Sequence, residues 1–383
     1  MTSKLAALCT YMKGKIAVDT LDEYTYISTE NMIPNKGGID RASSLPSTQY
    51  TQAFDMGDVL VSNIRPYFKK IWMAEYSGGC SNDVLVFRAN KGCDPTFLYY
   101  VLANDSFFDY ATATSKGTKM PRGDKTAIMQ YEVPSFDNVT QQRIGSFLKG
   151  IDKQIVTNKK INDNLQQQAE LLYHERFETV DRDKLPVGWR IVRLGDVATI
   201  SKKSFNPAKE PEMLLEHYSI PAFDEAHFPV FEPSTAIKSN KFIVDDSCFM
   251  ISKLNPTTKR VWKPYCLTAN AVCSTEFIVY KAKSQEITDF LYSVIDSTSF
   301  SDFMCSHVTG STGSRQRTTP SDTLAFELIL PNAEEIAEYQ GVVSPMFEQI
   351  KCNAIENDRL KRLRDSLLPK LMSGEIGVSD IQL

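Results

Sequence analysis

Long apolar runs are missing from this sequence. No stretch of about 18 apolar residues occurs in the chain, so a membrane-spanning helix is not predicted. The first residues, MTSKLAALCTYMKGK, lack the apolar core and cleavage site of a secretory signal. The eight cysteines include no CxxC pair, and a chain of this size needs no disulfides to fold. We therefore expect reduced thiols, a cytoplasmic location and no membrane association.

Catalytic motifs are equally scarce. The sequence contains no GxGxxG, GxxxxGK[ST] or HExxH pattern. NPTT at 255–258 lacks the aromatic ring that an amino-methyltransferase loop stacks on a flipped base. The four histidines have no Cys or Asp at the spacing of a metal site or a catalytic triad. These absences predict a protein that is not an enzyme by itself and holds no metal.

A duplication runs through the chain. Its 383 residues exceed one ordinary hydrophobic core, so two domains are expected. GDVLVSNIRPYFKKIW at 57–72 and SCFMISKLNPTTKRVW at 247–262 keep a Pro, a basic pair and a Trp in step. Further matches are CSNDVLVFRA at 80–89 with CSTEFIVYKA at 273–282, and IVTNKKINDNL at 155–165 with IKCNAIENDRL at 350–360. The offset between matching positions changes by only a few residues along the chain, which is typical of a duplicated domain.

Each copy has a front part and a back part with different sequence patterns. The front part has short β-branched and aromatic runs separated by Gly, Pro, Asn and Ser, with one helical segment at 95–111 or 287–304. The back part has helical periodicity. The pattern predicts an α+β fold with two repeated mixed domains, mainly of antiparallel strands, separated by two long helices. The predicted boundaries are 1–140 and 187–332 for the mixed domains, and 141–179 and 333–375 for the helices.

The two long helices have a heptad-like seam. Its members follow alternating steps of four and three. They are Ile144, Leu148, Ile151, Ile155, Asn158, Asn162, Leu165, Ala169 and Leu172, and then Val343, Met346, Ile350, Asn353, Asn357, Leu360 and Leu367. Asn inside a seam weakens packing but specifies register and partner. Because the chain turns back between the helices, we predict an antiparallel coiled coil with one mixed domain at each end. The alternative is an amphipathic helix lying on its own domain.

Positive charge is concentrated in four acid-free segments at matched places. We name them segments 1a (59–74), 1b (110–123), 2a (247–275) and 2b (303–321). The net charge of −4 excludes a uniformly basic surface, but Lys and Arg in such segments are typical of phosphate contacts, and Asn, Gln and Arg of base contacts. Solvated loop charges are the alternative. The candidate DNA-binding residues are Asn63, Arg65, Lys69, Lys70, Lys116, Lys119, Arg122, Lys253, Asn255, Lys259, Arg260, Arg315, Gln316 and Arg317.

Three phrases of the sequence are typical of one protein family. GDVLVSNIRPYFKKIWMAEYSGGCSNDVLVFRA, LPVGWRIVRLGDVATI and RLRDSLLPKLMSGEI resemble the specificity (S) subunits of Type I restriction-modification systems, across essentially the whole chain. The resemblance implies two target-recognition domains that each read half of a split DNA site, with helical spacers setting the gap. The second copy departs from the first by having KLNP in place of NIRP and by diverging after Gly310. Such divergence is expected if the two domains read different sequences.

The resemblance also implies partners. Two modification (methyltransferase) subunits would dock on the helices, and restriction (endonuclease and translocase) subunits would join the larger complex on double-stranded DNA. AdoMet, ATP and Mg²⁺ are expected only on those partner subunits, and this chain is expected to hold no cofactor.

Two other hypotheses compete with a recognition subunit. A single-chain enzyme with fused recognition heads would need the cofactor motifs that this sequence lacks. A coiled-coil scaffold without a nucleic-acid role would explain the helices but not the paired basic segments. AdoMet binding by the isolated chain would test the first of these hypotheses, and a salt-dependent DNA shift would test the second.

Overall fold

The structure is a computed structural model and describes residues 2–309 and 316–381. Its contacts divide the chain into two compact units. Unit 1 comprises Met1–Ile155 and Arg359–Leu383, and unit 2 comprises Val156–Asp358. Within the described ranges, no helix has the length and apolar character needed to span a bilayer.

Unit 1 is built from short strands and helices. Its strands are β1 (Thr2–Lys4), β2 (Cys9–Tyr11), β3 (Lys15–Ala17), β4 (Tyr26–Ile27), β5 (Met32–Ile33), β6 (Gly38–Ile39), β7 (Tyr50–Phe54), β8 (Val59–Ser62), β9 (Ile71–Met73), β10 (Gly78–Cys80), β11 (Val84–Ala89) and β12 (Glu132–Pro134). Its helices are α1 (Leu5–Leu8), α2 (Pro95–Ala103), α3 (Asp105–Ala113), α4 (Lys125–Ile128) and the first part of α5 (Asn138–Tyr173).

Two four-stranded sheets form the centre of unit 1. Their strand orders are β3-β7-β10-β4 and β2-β11-β8-β9. β4 and β10 pair in parallel, whereas the other pairs in these sheets are antiparallel. All four residues of β8 are buried, because this apolar, β-branched run is covered on both faces. The aromatic rings of Phe87 in β11 and Phe107 in α3 meet edge to face, which packs the helices on the second sheet.

Unit 2 repeats this plan. Its strands are β13 (Arg190–Arg193), β14 (Ala198–Ser201), β15 (Ser204–Phe205), β16 (Leu214–Tyr218), β17 (Val230–Pro233), β18 (Lys241–Ile243), β19 (Cys248–Ser252), β20 (Val261–Trp262), β21 (Ala271–Ser274), β22 (Phe277–Ala282), β23 (Val308–Thr309), β24 (Arg317–Thr318) and β25 (Glu327–Leu330). Its helices are the rest of α5, α6 (Leu194–Val197), α7 (Ile220–Ala226), α8 (Thr288–Asp296), α9 (Thr298–Ser306), α10 (Pro320–Thr323) and the first part of α11 (Ala333–Ser373).

The sheet orders confirm the duplication. In unit 2 the order β14-β22-β19-β20 matches β2-β11-β8-β9 of unit 1, strand for strand. The other sheet, β15-β18-β21-β16-β17, repeats the parallel pair of unit 1 as β16 with β21 and gains one edge strand. The predicted α+β fold with two repeated, mainly antiparallel domains and two long helices is confirmed.

The short helical segment predicted in each copy is two helices. In unit 1 the break lies at Asn104, whose side chain caps α3 by accepting a hydrogen bond from Ser106 N. In unit 2 it lies at Ser297, which caps α9 by accepting from Phe300 N. Both capping residues have extended backbone, which ends the preceding helix. The sequence pattern missed this break because the apolar periodicity continues across it.

In unit 1 the first part of α5 packs against the last part of α11. The side chains that share the buried core are Ile144, Leu148, Leu368 and Leu371. Arg364 Nη1 donates a hydrogen bond to Asp152 Oδ1 at 2.6 Å, and Tyr100 donates to the other carboxylate oxygen at 2.6 Å. The helix pair is therefore tied both to itself and to α2.

In unit 2 the rest of α5 packs against the first part of α11 through two Asn pairs. Asn158 Nδ2 donates to Asn357 Oδ1 at 3.1 Å, and Asn353 Nδ2 donates to Asn162 Oδ1 at 2.8 Å. Residue numbers rise along α5 while they fall along α11, so the helices are antiparallel here. The Asn residues picked out of the two seams lie opposite one another.

The predicted seam is wrong at Leu172, which is 40% exposed. Tyr173 and Phe177 are buried instead. Their rings pack on the ring of Tyr339, and a π-helical turn at His174–Glu178 changes the spacing of the last side chains. The aromatic packing of the unit thus overrides the heptad spacing at the end of the helix.

A first prediction concerns the buried Asn pairs. Asn158→Ala removes the donor to Asn357 and a second bond to Glu356 at 2.7 Å, and leaves a buried acceptor unpaired. We expect a loss of stability of about 1–3 kcal/mol. Replacing both Asn158 and Asn357 by Leu is expected to restore stability, because both members of the buried pair are then apolar and Glu356 is exposed to solvent. Urea unfolding midpoints of the three proteins check this, and a double variant weaker than the single one would contradict it.

Candidate nucleic-acid interface

Segments 1a and 1b cross each other in unit 1. Arg65 N donates to Pro121 O at 2.8 Å, and Gly123 N donates to Asn63 O at 3.1 Å. The two bonds hold the chain that leaves β8 antiparallel to the chain on either side of Arg122. The structure therefore brings together two basic segments that lie far apart in the sequence. We call this meeting point a loop crossing.

Unit 2 repeats the loop crossing with segments 2a and 2b. Asn255 N donates to Gln316 O at 2.9 Å, and Thr318 N donates to Lys253 O at 3.1 Å. These bonds lie on either side of Arg317, which occupies the place of the central arginine in unit 1. The same backbone arrangement thus occurs twice with different side chains.

One arginine in each loop crossing is anchored on a carboxylate. Arg122 Nε and Nη2 donate to Asp83 Oδ1 and Oδ2 at 3.1 and 3.3 Å. Arg317 Nε and Nη2 donate to Glu276 Oε2 and Oε1 at 3.0 and 3.1 Å. The arginine side chains are 52% and 43% exposed, so their outer edges face solvent.

The polar residues at the start of each crossing are exchanged between units. Asn63 and Arg65 of unit 1 stand where unit 2 has Lys253 and Asn255. Arg65 and Asn255 both have a φ of 49°, a left-handed conformation that Asn adopts more readily than Arg. The same backbone therefore presents its basic and its amide side chain in opposite order in the two units.

The basic pair of segment 1a has partners within unit 1. Lys69 Nζ lies 3.1 Å from Asp105 Oδ1, which Lys36 also approaches at 2.8 Å. Lys70 Nζ donates to Thr29 O at 2.6 Å, and burial lowers the pKa of this amine. Both side chains help to fix the loop.

The basic pair of segment 2a is paired with carboxylates. Lys259 Nζ lies 3.1 Å from Glu170 Oε1 on α5 and 3.3 Å from Asp296 Oδ1. Arg260 donates to both oxygens of Asp224 on α7, at 2.6 and 2.9 Å. This pair ties the second loop crossing to three helices of its unit, α5, α7 and α8.

The remaining candidate cations are less constrained. Lys116 Nζ lies 2.5 Å from Asp124 Oδ2 and its side chain is 82% exposed. Lys119 is exposed and Lys253 is half-buried, and neither makes an ion pair with a described residue. These side chains have the freedom to meet a phosphate.

The candidate amides are more enclosed than the sequence suggested. Asn63 is only 6% exposed, and its Oδ1 has no hydrogen-bond partner among the described residues. A Cβ on Gly123 would lie 2.9 Å from that oxygen, so the amide is covered by segment 1b. The Asn255 amide oxygen is also buried without such a partner, and Gln316 contributes its carbonyl to the crossing. Arg315 lies outside the described residues.

Asp296 is the most perturbed acid near either crossing. Burial raises its pKa to about 6, although the charge of Lys259 opposes this shift. Because the folded pKa exceeds the unfolded value, this group stabilises the fold below about pH 4 and loses that contribution as pH rises through about 6.

A second prediction follows from this pKa. Relative to Asp296→Asn, the wild-type protein is expected to lose up to about 3 kcal/mol of stability as pH rises from about 4 to 6. The Asn variant keeps the side-chain shape but cannot titrate. Urea midpoints of both proteins across this pH range measure the difference, and a difference independent of pH would rule out the shift.

Sequence reasoning missed an exposed aromatic pair and the hairpin beside it. Tyr67 and Phe68 are 48% and 37% exposed on the turn of segment 1a. The hairpin between β5 and β6 packs on this turn, since Asn35 N donates to Phe68 O and Lys36 N donates to Lys69 O, each at 2.9 Å. The signal was available as a four-residue stretch, 34–37, that contains Gly37, because short Gly-containing loops between apolar runs are typical of hairpins.

Known proteins with similar sequences and folds share one description. Residues 3–167 match a family described as the Type I restriction modification DNA specificity domain. The chain is 25% identical to the Type I restriction enzyme MjaIX specificity subunit of Methanocaldococcus jannaschii over 74% of this chain and 70% of that protein. It is 24% identical to the Type I restriction enzyme HindI specificity subunit of Haemophilus influenzae, over 92% and 94%.

A solved structure shows the same fold. The Type I restriction-modification system S subunit from M. genitalium superposes with a TM-score of 0.62 at 15% identity, covering 97% of this chain and 96% of that one. The resemblance seen in the sequence is confirmed by these matches.

Proposed function

Because residues 3–167 match the Type I restriction modification DNA specificity domain, we propose that this chain is the DNA-recognition subunit of a Type I restriction-modification complex. The observation that carries the proposal is the loop crossing, which both units build with the same backbone bonds and different polar side chains. Two recognition surfaces of one design but different chemistry suit a DNA site with two unlike halves.

Each unit reads one half of the site in this proposal. Lys119 and Lys253 hold phosphates, because no described carboxylate neutralises them. Arg122, Gln316 and Arg317 lie at the crossings and face the base edges, with Arg315 beside them in sequence. Asn63 and Asn255 reach a base only if the loops shift, so in this proposal they position the loops of the crossings and do not contact bases. The remaining candidates shape the basic surface around the residues that face the base edges. They are Arg65, Lys69, Lys70, Lys116, Lys259 and Arg260.

The long helices set the gap between the half-sites. Within unit 2 they are antiparallel and registered by the two Asn pairs, and within unit 1 they are registered by Asp152 and Arg364. A helix that passes from one unit into the next has a length fixed by its backbone hydrogen bonds, at about 1.5 Å per residue. The number of residues in such a spacer therefore sets the number of base pairs between the two half-sites.

The chain itself is a non-catalytic partner of enzymes. Two modification subunits dock on the helices and methylate adenine with AdoMet, and restriction subunits that use ATP and Mg²⁺ join the larger complex. The proposal places the whole assembly in the cytoplasm, on double-stranded DNA.

Methylation mapping tests the function directly. The chain is expressed with the modification subunit of its source genome in a host without other adenine methylation, and methylated adenines are mapped. We expect one motif with two specific halves separated by a fixed unspecific gap. A motif without a gap, or methylation unchanged when this chain is omitted, would exclude the proposal.

A third prediction concerns phosphate contacts. Lys119→Ala and Lys253→Ala are each expected to weaken binding to specific and random DNA alike, and to reduce the salt slope by about one unit. Lys184→Ala is the matched control, because Lys184 is 84% exposed and lies outside the basic segments. Fluorescence anisotropy of labelled duplexes at several salt concentrations gives both quantities. A loss confined to one half-site at constant slope would make these lysines base readers.

A further inference from the structure

The anchored arginines have donors left on one edge. Arg122 and Arg317 each use Nε and Nη2 to reach a carboxylate. A guanidinium has five N–H donors, so three take no part in these bonds, and one on Nη1 and one on Nη2 form its outer edge. A planar edge with two adjacent donors matches O6 and N7 of guanine in the major groove.

The backbone around each arginine is held from both sides. The flanking residues are Ile64 and Lys116 around Arg122, and Leu254 and Thr309 around Arg317. Lys116 and Arg122 exchange two backbone hydrogen bonds of 2.9 Å, which fixes the arginine Cα against its neighbour. Base reading requires such a fixed side-chain origin, since a small displacement misaligns both hydrogen bonds.

The carboxylate discriminates between two kinds of DNA contact. An arginine paired with a carboxylate is neutral as a pair, so its attraction to phosphate is weakened while its directed hydrogen bonds remain. Asp83 and Glu276 lie in equivalent turns, between β10 and β11 and between β21 and β22. Unit 1 uses an aspartate and unit 2 a glutamate, yet both form the two-bond pair. The arrangement therefore favours a base edge over a phosphate.

We propose that Asp83 and Glu276 are positioning residues that present Arg122 and Arg317 to guanine, one in each half-site. This rests on the proposed function and deepens it, because it names the base and the groove. The carboxylates touch no DNA in this proposal and act only through the arginines.

The experiment uses the full chain in complex with its modification subunits. Once the motif is mapped, each guanine of each half-site is replaced in turn by 7-deazaguanine, which lacks N7. We expect a penalty of about ten-fold in affinity at one guanine per half-site for the wild-type complex. Arg317→Ala is expected to abolish one of these penalties and so to identify the half-site of unit 2.

Glu276→Gln and Asp83→Asn are the decisive variants. Each is expected to reduce the 7-deazaguanine penalty in its own half-site to nearly one-fold and to leave the other half-site unchanged. Binding to random DNA is expected to tighten, with a salt slope about one unit steeper, because a negative charge is removed beside an arginine. A merely structural carboxylate would not lower discrimination while raising random binding.

Two controls keep the test interpretable. Glu327→Gln removes a charge from an acid of unit 2 that is 55% exposed and pairs with Arg182 at 3.8 Å, and it should leave the penalties intact. Glu276→Asp and Asp83→Glu retain the charge and should rescue part of the discrimination. If a Gln or Asn variant fails to fold, this rescue series carries the test.

Unchanged penalties in folded Glu276→Gln and Asp83→Asn complexes would overturn the inference, as would equal losses in both half-sites. A half-site without guanine on either strand would overturn it for that unit. The proposed function fails separately, and visibly, if the wild-type complex has no sequence preference for any duplex.

Discussion

Inserting one heptad into each long helix is expected to widen the gap between half-sites by about three base pairs. The insertions follow Asn158 in α5 and Asn353 in α11, so they fall between the two Asn pairs in both helices. Seven residues add about 10 Å of helix, which equals about three base pairs at 3.4 Å each. The half-sites themselves should stay the same. Methylation mapping of the variant measures the gap.

Unpaired insertions serve as controls. A heptad in α5 alone leaves new seam residues without partners, and two residues in α5 alone turn the following side chains off the seam. Both should reduce methylation strongly. Three base pairs also rotate one half-site by nearly a third of a turn, so the paired variant is expected to bind more weakly. An unchanged gap with full activity in the paired variant would show that the helices are not the spacer.

Asp58→Ala is expected to destabilise unit 1 by about 3 kcal/mol. Asp58 is 2% exposed, and Arg88 Nε and Nη2 donate to its two oxygens at 2.7 and 2.6 Å. Its loss leaves a half-buried guanidinium without its main partner at the start of β8, the strand that leads into the first loop crossing. Thermal unfolding of the full chain measures the change.

Asp55→Ala is the matched control for this variant. Asp55 also binds Arg88, but it is 63% exposed, so we expect a loss below about 1 kcal/mol. In complexes warmed toward the transition, Asp58→Ala should impair the half-site of unit 1 before that of unit 2. Equal effects of both variants would mean that burial does not strengthen this ion pair.

Local patterns in the sequence were sufficient to predict much of the fold. The duplication was visible because strands and loops of both units repeat short apolar and basic phrases in step. The Asn pairs were visible because a polar residue interrupts an otherwise apolar seam. Leu172 was misplaced because the rings of Tyr173 and Phe177 find partners that the periodicity of one helix does not reveal.

The candidate interface was predictable in its cations but not in their partners. Segments free of acids can be read directly from the sequence. The carboxylates that pair with them, such as Asp83 with Arg122 and Glu170 with Lys259, come from distant positions. Composition therefore located the basic loops, whereas only the tertiary structure showed which cations are engaged and which are open.

The two units differ in how they support their loops, and this was also hidden. Unit 1 places a hairpin with Asn35 beside its loop, whereas unit 2 uses α7 and Asp224. The aromatic pair Tyr67 and Phe68 has Thr257 and Thr258 as its counterparts. Sequence comparison of the copies shows such a substitution, but not that the rings are exposed.

The way in which the chain is divided between the two units affects the order in which they fold during synthesis. Unit 2 is one contiguous stretch, Val156–Asp358, whereas unit 1 needs Arg359–Leu383 in addition to its first part. Leu368 and Leu371 belong to the buried core of unit 1 and leave the ribosome after the whole of unit 2. A nascent chain can therefore complete unit 2 while unit 1 still lacks part of its core, which reverses the usual N-terminal-first order.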